Sequence, residues 1–177
     1  MIKTMLIPTD GSDHAKKAVT LGSDMAARYN ARLILVHSLM TGASSEELNR
    51  LATRSKLNKS QQNLLDNYEK DFQLEVAAAG ASTGFTHAPP PRELTEAIGL
   101  QLLDRAESAA AKAGVKDVSS FLVNGDPAKA ILEIAENHNV NMIVMGSRGL
   151  SDFKGLILGS ISHKVSAHCN CTCVTVK

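Results

Sequence analysis

The stretch that decides the fold is "GDPAKAILEIAENHNVNMIVMGSRGL", residues 125–150. Its first half predicts a helix, because Asp126 is a favourable N-cap and Pro127 stands at the first helical position, where its missing N–H costs nothing. The apolar side of this helix consists of Ala130, Ile131, Ile134 and Ala135. The apolar run 141–145 then predicts a buried strand. A helix that leads directly into a buried strand is typical of an α/β sheet.

Four more apolar runs, 4–8, 32–38, 118–123 and 172–176, also predict strands. Most are nearly continuous rather than alternating, which favours parallel strands covered on both faces. Helical patterns separate them: one begins with Ser12 or Asp13 as N-cap, and another runs from Arg92 to Ala113 and ends at Gly114. We therefore predict an α/β fold, a single-domain doubly wound five-stranded parallel sheet flanked by helices.

Residues 41–92 interrupt the alternation and predict a helical insertion after the second strand, within one domain over 1–177. The segment has helical composition and ends in a turn-rich loop, "GASTGFTHAPPP" (80–91). Its apolar side chains are Leu48, Leu51, Leu57, Leu64, Leu65, Tyr68 and Phe72. Three alternatives remain open for them: cover by the parent domain, cover by a second subunit or another protein, or disorder. We expect the insertion to serve association rather than nucleotide contact.

Composition limits the classes of partner. The 177 residues are 44% hydrophobic and 21% charged, with a formal net charge of +1. Neither sign dominates, so nothing predicts a nucleic-acid or membrane partner. The N-terminal apolar run reaches Asp10 after a few residues, which is too short for a secretory core or a membrane span. We expect a cytoplasmic protein.

The three cysteines, Cys169, Cys171 and Cys173, are not expected to hold a metal. An odd number at this spacing is not a disulfide framework, and it differs from the CxxC pairs of zinc sites. Small strand residues are the better interpretation. His163 and His168 are five residues apart, which is not the i, i+4 spacing that metals favour.

A glycine-rich stretch, "GSRGLSDFKGLILGSIS" (146–162), predicts an anion site. It contains neither GxxxxGK[ST] nor GxGxxG. Gly146 and Gly149 nonetheless let backbone N–H groups converge, and Gly159 with Ser160 opens a helix whose first amides lack intrahelical partners. In a doubly wound sheet, ligands bind beyond the carboxyl ends of the strands, where the strand order switches. The segments 8–12 and 37–40 and the glycine loop are the three candidate walls.

The glycine loop also carries a family resemblance. The spacing G-x2-G-x9-G-S, met by Gly146, Gly149, Gly159 and Ser160, resembles the ATP-binding motif of the universal stress protein family. "MLIPTDGS" (5–12) and "GDPAKAILEIAENHNVNMIVMGSRG" are similar to two further passages of that family. The resemblance covers residues 1–38 and about 93–177. It implies a five-stranded α/β fold, usually dimeric.

The resemblance also implies a set of site residues. Asp10 would lie beside the ribose and adenosine, and Val36 would contact adenine through its backbone. The ribose and phosphates would be surrounded by Gly146, Arg148, Gly149, Gly159, Ser160, Ile161 and Ser162. The adjoining Pro8, Thr9, Met145 and Ser147 complete the predicted site. The sequence departs from the family pattern in the length of 41–92 and in Thr172, which stands where the family often has proline.

The predicted function is that of an ATP-binding, nucleotide-responsive stress protein that acts by binding and association. The ligand is expected to be ATP or another adenine nucleotide, with Mg²⁺ on the phosphate oxygens, and the partners a second copy of the chain and an unidentified protein. One alternative is a slow ATP hydrolase, although no residue of the loop offers an obvious base and no catalytic residue is predicted. The other is a nucleotide-free interaction scaffold, against which the intact motif argues.

Overall fold

The sheet has five parallel strands, as the sequence predicts. The computed structural model describes residues 1–39, 45–52, 55–79, 88–150 and 158–177. The strands are β1 (Thr4–Pro8), β2 (Arg32–Ser38), β3 (Val118–Val123), β4 (Met142–Gly146) and β5 (Thr172–Val176), in the spatial order β3-β2-β1-β4-β5. Every neighbouring pair is parallel. The doubly wound α/β prediction is confirmed, with β4 displaced by one residue from its predicted bounds.

The helices are α1 (Asp13–Tyr29), α2 (Ser45–Ala52), α3 (Lys59–Ala79), α4 (Arg92–Lys112), α5 (Pro127–Asn137) and α6 (Ser160–His168). Two predicted caps are confirmed. The Ser12 hydroxyl accepts a hydrogen bond from Ala15 N at 3.2 Å, and the Asp126 carboxylate accepts one from Lys129 N at 2.8 Å. Each cap satisfies one of the backbone donors that a helix start leaves without a partner.

The chain folds as two compact units, one formed by residues 1–39 and 102–177 and the other by residues 40–101. The first unit contains the sheet and has a core on each face. One face packs α1 and the second half of α4 against Met5, Ile7, Leu33, Leu35 and Val144. The other packs α5 and α6 against Leu6, Ile34, Val36, Ile143 and Met145. Successive strand residues therefore alternate between two apolar layers, which explains the continuous apolar runs.

The second unit contains α2, α3 and the start of α4, so a helical insertion does follow β2. It extends to Gln101, beyond the predicted boundary at residue 92. The described apolar side chains of this unit differ in burial. Leu74 and Val76 are exposed, whereas four others are buried within the chain: Leu48, Leu51, Leu65 and Tyr68. Residues 80–87 of the predicted turn-rich loop lie outside the described residues. That 1–177 is a single domain stays a prediction.

No helix among the described residues is both long enough and apolar enough to cross a membrane.

Candidate functional site at the carboxyl edge of the sheet

The loops after β1 and β4 meet at the point where the strand order switches. β1 and β4 are neighbours, and the chain continues from β1 towards β2 and β3 but from β4 towards β5. The amide of Leu150, in the loop after β4, donates a hydrogen bond of 3.0 Å to Asp10 Oδ2, in the loop after β1. Two of the three predicted walls are thus adjacent. The third follows β2, next to β1, although its last residue, Met40, lies outside the described residues.

Asp10 joins these two loops through both of its carboxylate oxygens. Oδ1 accepts from Ser12 N at 2.9 Å, which closes a turn at the start of α1, while Oδ2 accepts from Leu150 N. A carboxylate oxygen has more than one acceptor direction, so each can still accept from a ligand hydroxyl. The predicted position of Asp10 beside a ribose stays a prediction, but its place at the switch point fits that role.

The glycines of the loop are required by close packing as well as by the backbone donors considered from the sequence. A Cβ on Gly146 would lie 2.9 Å from both Ala15 N and His14 C, in the backbone of α1. A Cβ on Gly149 would lie 2.5 Å from Asp10 Oδ2. These distances are shorter than real Cβ contacts, so a side chain at either position would push the loop away from its support. At Gly159 the nearest heavy atom would be Arg148 Cα at 3.5 Å, an ordinary contact.

The start of α6 is docked on the residue that follows β4. Gly159 is the N-cap, with φ −74° and ψ 163°, and the cap has no side-chain hydrogen bond. Gly159 N and the Ser162 hydroxyl both donate to Ser147 O, each at 2.7 Å. Ser160 and Ile161 are exposed, and Ser162 is buried. Unlike α1 and α5, α6 therefore presents its first-turn amides without a side-chain cap, an arrangement that can hold an anion.

Ser147 and Met145 support the loop from inside the protein. Ser147 is fully buried, its N–H donates to Val176 O at 2.7 Å, and its Oγ is 3.5 Å from His14 Nδ1. The Met145 side chain belongs to the core between the sheet and the α5/α6 layer. That both residues contact the ligand stays a prediction.

The expectation that Val36 contacts adenine through its backbone stays a prediction, and the hydrogen bonds on the β2 side of the edge bear on it. Thr9 N donates to Val36 O at 2.8 Å, and the Val36 side chain is buried in the core. Peptide groups of alternate residues face the same neighbouring strand in a parallel ladder. The β1–β2 register ends at Pro8 and Val36, so the next peptide groups facing the β1 side belong to Ser38. Ser38 was not among the residues predicted for the site, because the phase of the ladder is not visible without the register.

His37 is buried beside Thr9 at this edge. Its Nδ1 lies 2.7 Å from Thr9 O, a carbonyl that can only accept, so the proton is on Nδ1 and Nε2 is an acceptor. Nε2 is buried and has no hydrogen-bond partner. Burial lowers the pKa of His37 below its ordinary value, against smaller opposing effects of the Thr9 hydrogen bond and the Asp10 charge. The imidazole is therefore neutral at pH 7.

Within the described residues, no group of three or more His, Cys, Asp or Glu side chains is arranged to hold a metal ion.

Comparison with known protein families identifies the family of this chain. A model of the universal stress protein family matches residues 1–177. The chain belongs to the universal stress protein family. Two bacterial universal stress proteins align over 100% of both sequences: YxiE of Bacillus subtilis, at 29% identity over 182 residues, and a Thermus aquaticus protein, at 31% over 185 residues. The predicted family is confirmed.

Solved universal stress proteins share the fold. UspA from Lactobacillus plantarum gives a TM-score of 0.64 at 18% identity and covers 99% of this chain and 98% of its own. A universal stress protein in complex with cAMP gives 0.60 at 22% identity, with coverages of 99% and 96%. The Archaeoglobus fulgidus protein in complex with dAMP gives 0.59 at 16% identity, with coverages of 100% and 98%.

Proposed function

We propose that this universal stress protein binds an adenine nucleotide, with ATP as the expected ligand, at the edge between β1 and β4. It acts as a nucleotide-responsive regulatory protein through binding and association. The observation that carries the proposal is the start of α6, which has no side-chain cap and is docked on Ser147 beside the loop that Asp10 holds. Solved relatives in complex with cAMP and dAMP support adenine nucleotides as the ligand class.

The phosphates would lie at the first turn of α6. The amides of Ser160, Ile161 and Ser162 are at the positive end of the helix dipole and have no partner within the helix. Because Gly159 has no side chain, a phosphate oxygen can approach these amides closely. Mg²⁺ would be held by the phosphate oxygens.

The nucleoside would extend towards the loops after β1 and β2. Asp10, with a free acceptor direction on each oxygen, would accept from a ribose hydroxyl. For the base we propose the peptide groups of Ser38 in preference to those of Val36, whose carbonyl already accepts from Thr9 N. A backbone contact fixes the base without a particular side chain.

Mass spectrometry of nucleotide carried through purification tests the proposal most directly. Calorimetry with ATP, ADP, AMP, cAMP and adenosine then ranks the ligands. A phosphate-release assay separates binding from slow hydrolysis. Absence of bound nucleotide, together with no measurable heat for any of these ligands, would leave the scaffold alternative.

A substitution at Gly159 separates phosphate binding from folding. There is space for a side chain, and the backbone is extended as N-cap residues require. Gly159→Asp would cap α6 and repel phosphate, so we expect ATP affinity to fall at least tenfold while adenosine affinity is kept. Gly159→Asn, of equal size but neutral, is the matched control. Equal ATP affinity in the parent and the Asp variant would exclude α6 as the phosphate site.

We also propose that the protein is a homodimer, as the family resemblance implies. β5 is the last strand of the sheet on its side and is partly exposed, so its outer edge can pair with a second copy. Light scattering coupled to size-exclusion chromatography tests this proposal, and a monomer at micromolar concentration would contradict it.

A further inference from the structure

Three thiols lie together where α6 ends and β5 begins; we call them the thiol cluster (Cys169, Cys171 and Cys173). Cys169 is the C-cap of α6, and its N–H donates to Val165 O at 2.9 Å. Cys171 immediately precedes β5, and Cys173 is in β5 opposite Ile143. All three are free, partly buried and packed against the core of the α5/α6 layer.

Cys169 is the common neighbour of the other two. Its thiol turns back over the bend at residues 170–171 and donates to Cys171 O at 3.3 Å. Burial is the largest cause that raises the pKa of Cys171 and of Cys173, and the charge of Cys169 and its hydrogen bonds raise both further.

Cys171 and Cys173, in contrast, are poorly placed to pair with each other. They are two residues apart in nearly extended chain, a Cα separation of about 6.6 Å at some 3.3 Å per residue. That is near the upper limit for a disulfide, and side chains two apart on a strand run parallel rather than converge.

Burial also lowers the reactivity of two thiols of the cluster. Burial is the largest cause that raises the pKa of Cys171 and of Cys173 to about 11. Both are therefore thiols near neutral pH, and the thiolate is the nucleophile in cysteine oxidation. All three thiols are partly buried, and Cys169 is the one whose thiol spans the bend to the next cysteine, so it is the member placed to pair with a neighbour.

We propose that Cys169 is a hydroperoxide-oxidised residue that forms an intramolecular disulfide with Cys171 or Cys173. The Cys169 thiol loses its proton and the thiolate sulfur attacks the peroxide O–O bond, giving a sulfenic acid. The leaving oxygen takes the proton and departs as an alcohol, or as water from hydrogen peroxide. A neighbouring thiol then attacks the sulfenic sulfur, forming the S–S bond and releasing water. Sulfur loses two electrons in total and the peroxide gains them. The disulfide joins the C-terminal end of α6 to the start of β5.

The test is hydrogen peroxide treatment of the full chain, followed by alkylation of free thiols and peptide mass spectrometry. The parent should show one intramolecular disulfide that always contains Cys169, with one alkylated thiol left. Cys171→Ser and Cys173→Ser should each still form a disulfide, whereas Cys169→Ser should form none. The three serine variants are matched controls for one another, and circular dichroism before oxidation checks that each is folded.

Three results would overturn the proposal. They are a Cys171–Cys173 disulfide in Cys169→Ser, three alkylated thiols in the parent after treatment, and a disulfide that joins two chains on a non-reducing gel. None of these readouts depends on nucleotide binding, so the proposal stands or falls separately from the proposed function.

Discussion

Gly149→Ala perturbs the contact on which the glycine loop depends. The new Cβ would lie 2.5 Å from Asp10 Oδ2, whereas an ordinary contact begins at 3.4 Å and 3.0 Å is the practical minimum. The two atoms must therefore separate by about 0.5–0.9 Å. Asp10 Oδ2 accepts from Leu150 N at 3.0 Å, and the same displacement would stretch that hydrogen bond beyond about 3.5 Å, where it is lost.

The expected cost follows from the charge on the acceptor. A hydrogen bond to an ionised group contributes about 1.5–3 kcal/mol, and the partial exposure of Asp10 favours the lower end. We expect the free energy of unfolding to fall by about 1.5 kcal/mol in urea denaturation. Because the displaced loop is the proposed wall of the nucleotide site, ATP affinity measured by calorimetry should fall about tenfold, since 1.4 kcal/mol is a factor of ten.

Two controls isolate the contact. In an Asp10→Ala background the obstructing oxygen is absent, so Gly149→Ala should cost at most about 0.5 kcal/mol, and the difference is the coupling between the two residues. Gly159→Ala meets no atom closer than 3.5 Å and should change the loop little. The reasoning is refuted if Gly149→Ala matches the parent in both stability and ATP affinity, or if its cost is the same with and without Asp10.

Three further predictions concern other parts of the molecule. Ser12→Ala removes the hydroxyl that accepts from Ala15 N and should lower the free energy of unfolding by about 1 kcal/mol in urea; an unchanged midpoint would contradict this role of the cap. The pKa of His37 is lower in the folded chain than in the unfolded chain, so below about pH 6.5 the unfolded chain binds a proton that the folded chain does not. The free energy of unfolding is therefore unaffected by the ionisation of His37 above about pH 6.5 and falls as the pH drops below that value. His37→Asn, which keeps a donor for the Thr9 carbonyl, should flatten urea stability between pH 6.5 and 5.5, and an unchanged slope would count against His37 as the titrating group. Replacing residues 43–88 with a short Gly/Ser linker should preserve ATP affinity in calorimetry and weaken dimer formation or partner capture. Loss of ATP affinity with an unchanged oligomeric state would instead make the insertion part of the nucleotide site.

Local signals were sufficient for most of the fold. The strand bounds follow from apolar runs buried on both faces, and the starts of α1 and α5 follow from Ser12 and Asp126, whose side chains bond amides three residues on. The end of the insertion was less predictable. The first half of α4 belongs to the unit of residues 40–101 and its second half to the sheet, and a continuous helical pattern gives no sign of that division.

The sequence predicts only those features of the candidate site that depend on one continuous segment of the chain. The motif identified Gly146 and Gly149, but the physical need for glycine there lies in α1 and in Asp10, which are distant in sequence. The adenine contact of Val36 stays a prediction, and the register with β1 determines which β2 peptide groups face that edge. Spacing identifies candidate residues, and tertiary contacts determine what each one does.

The hydrogen bond from Leu150 to Asp10 joins groups 140 residues apart in the chain. During synthesis, the β1 half of the site is therefore exposed long before the β4 half leaves the ribosome. Nascent chains that stop before residue 146 lack the glycine loop and α6, so they would lack the proposed phosphate site even if their N-terminal segments have begun to fold. Binding at the proposed nucleotide site would therefore report a chain that has been synthesised through α6.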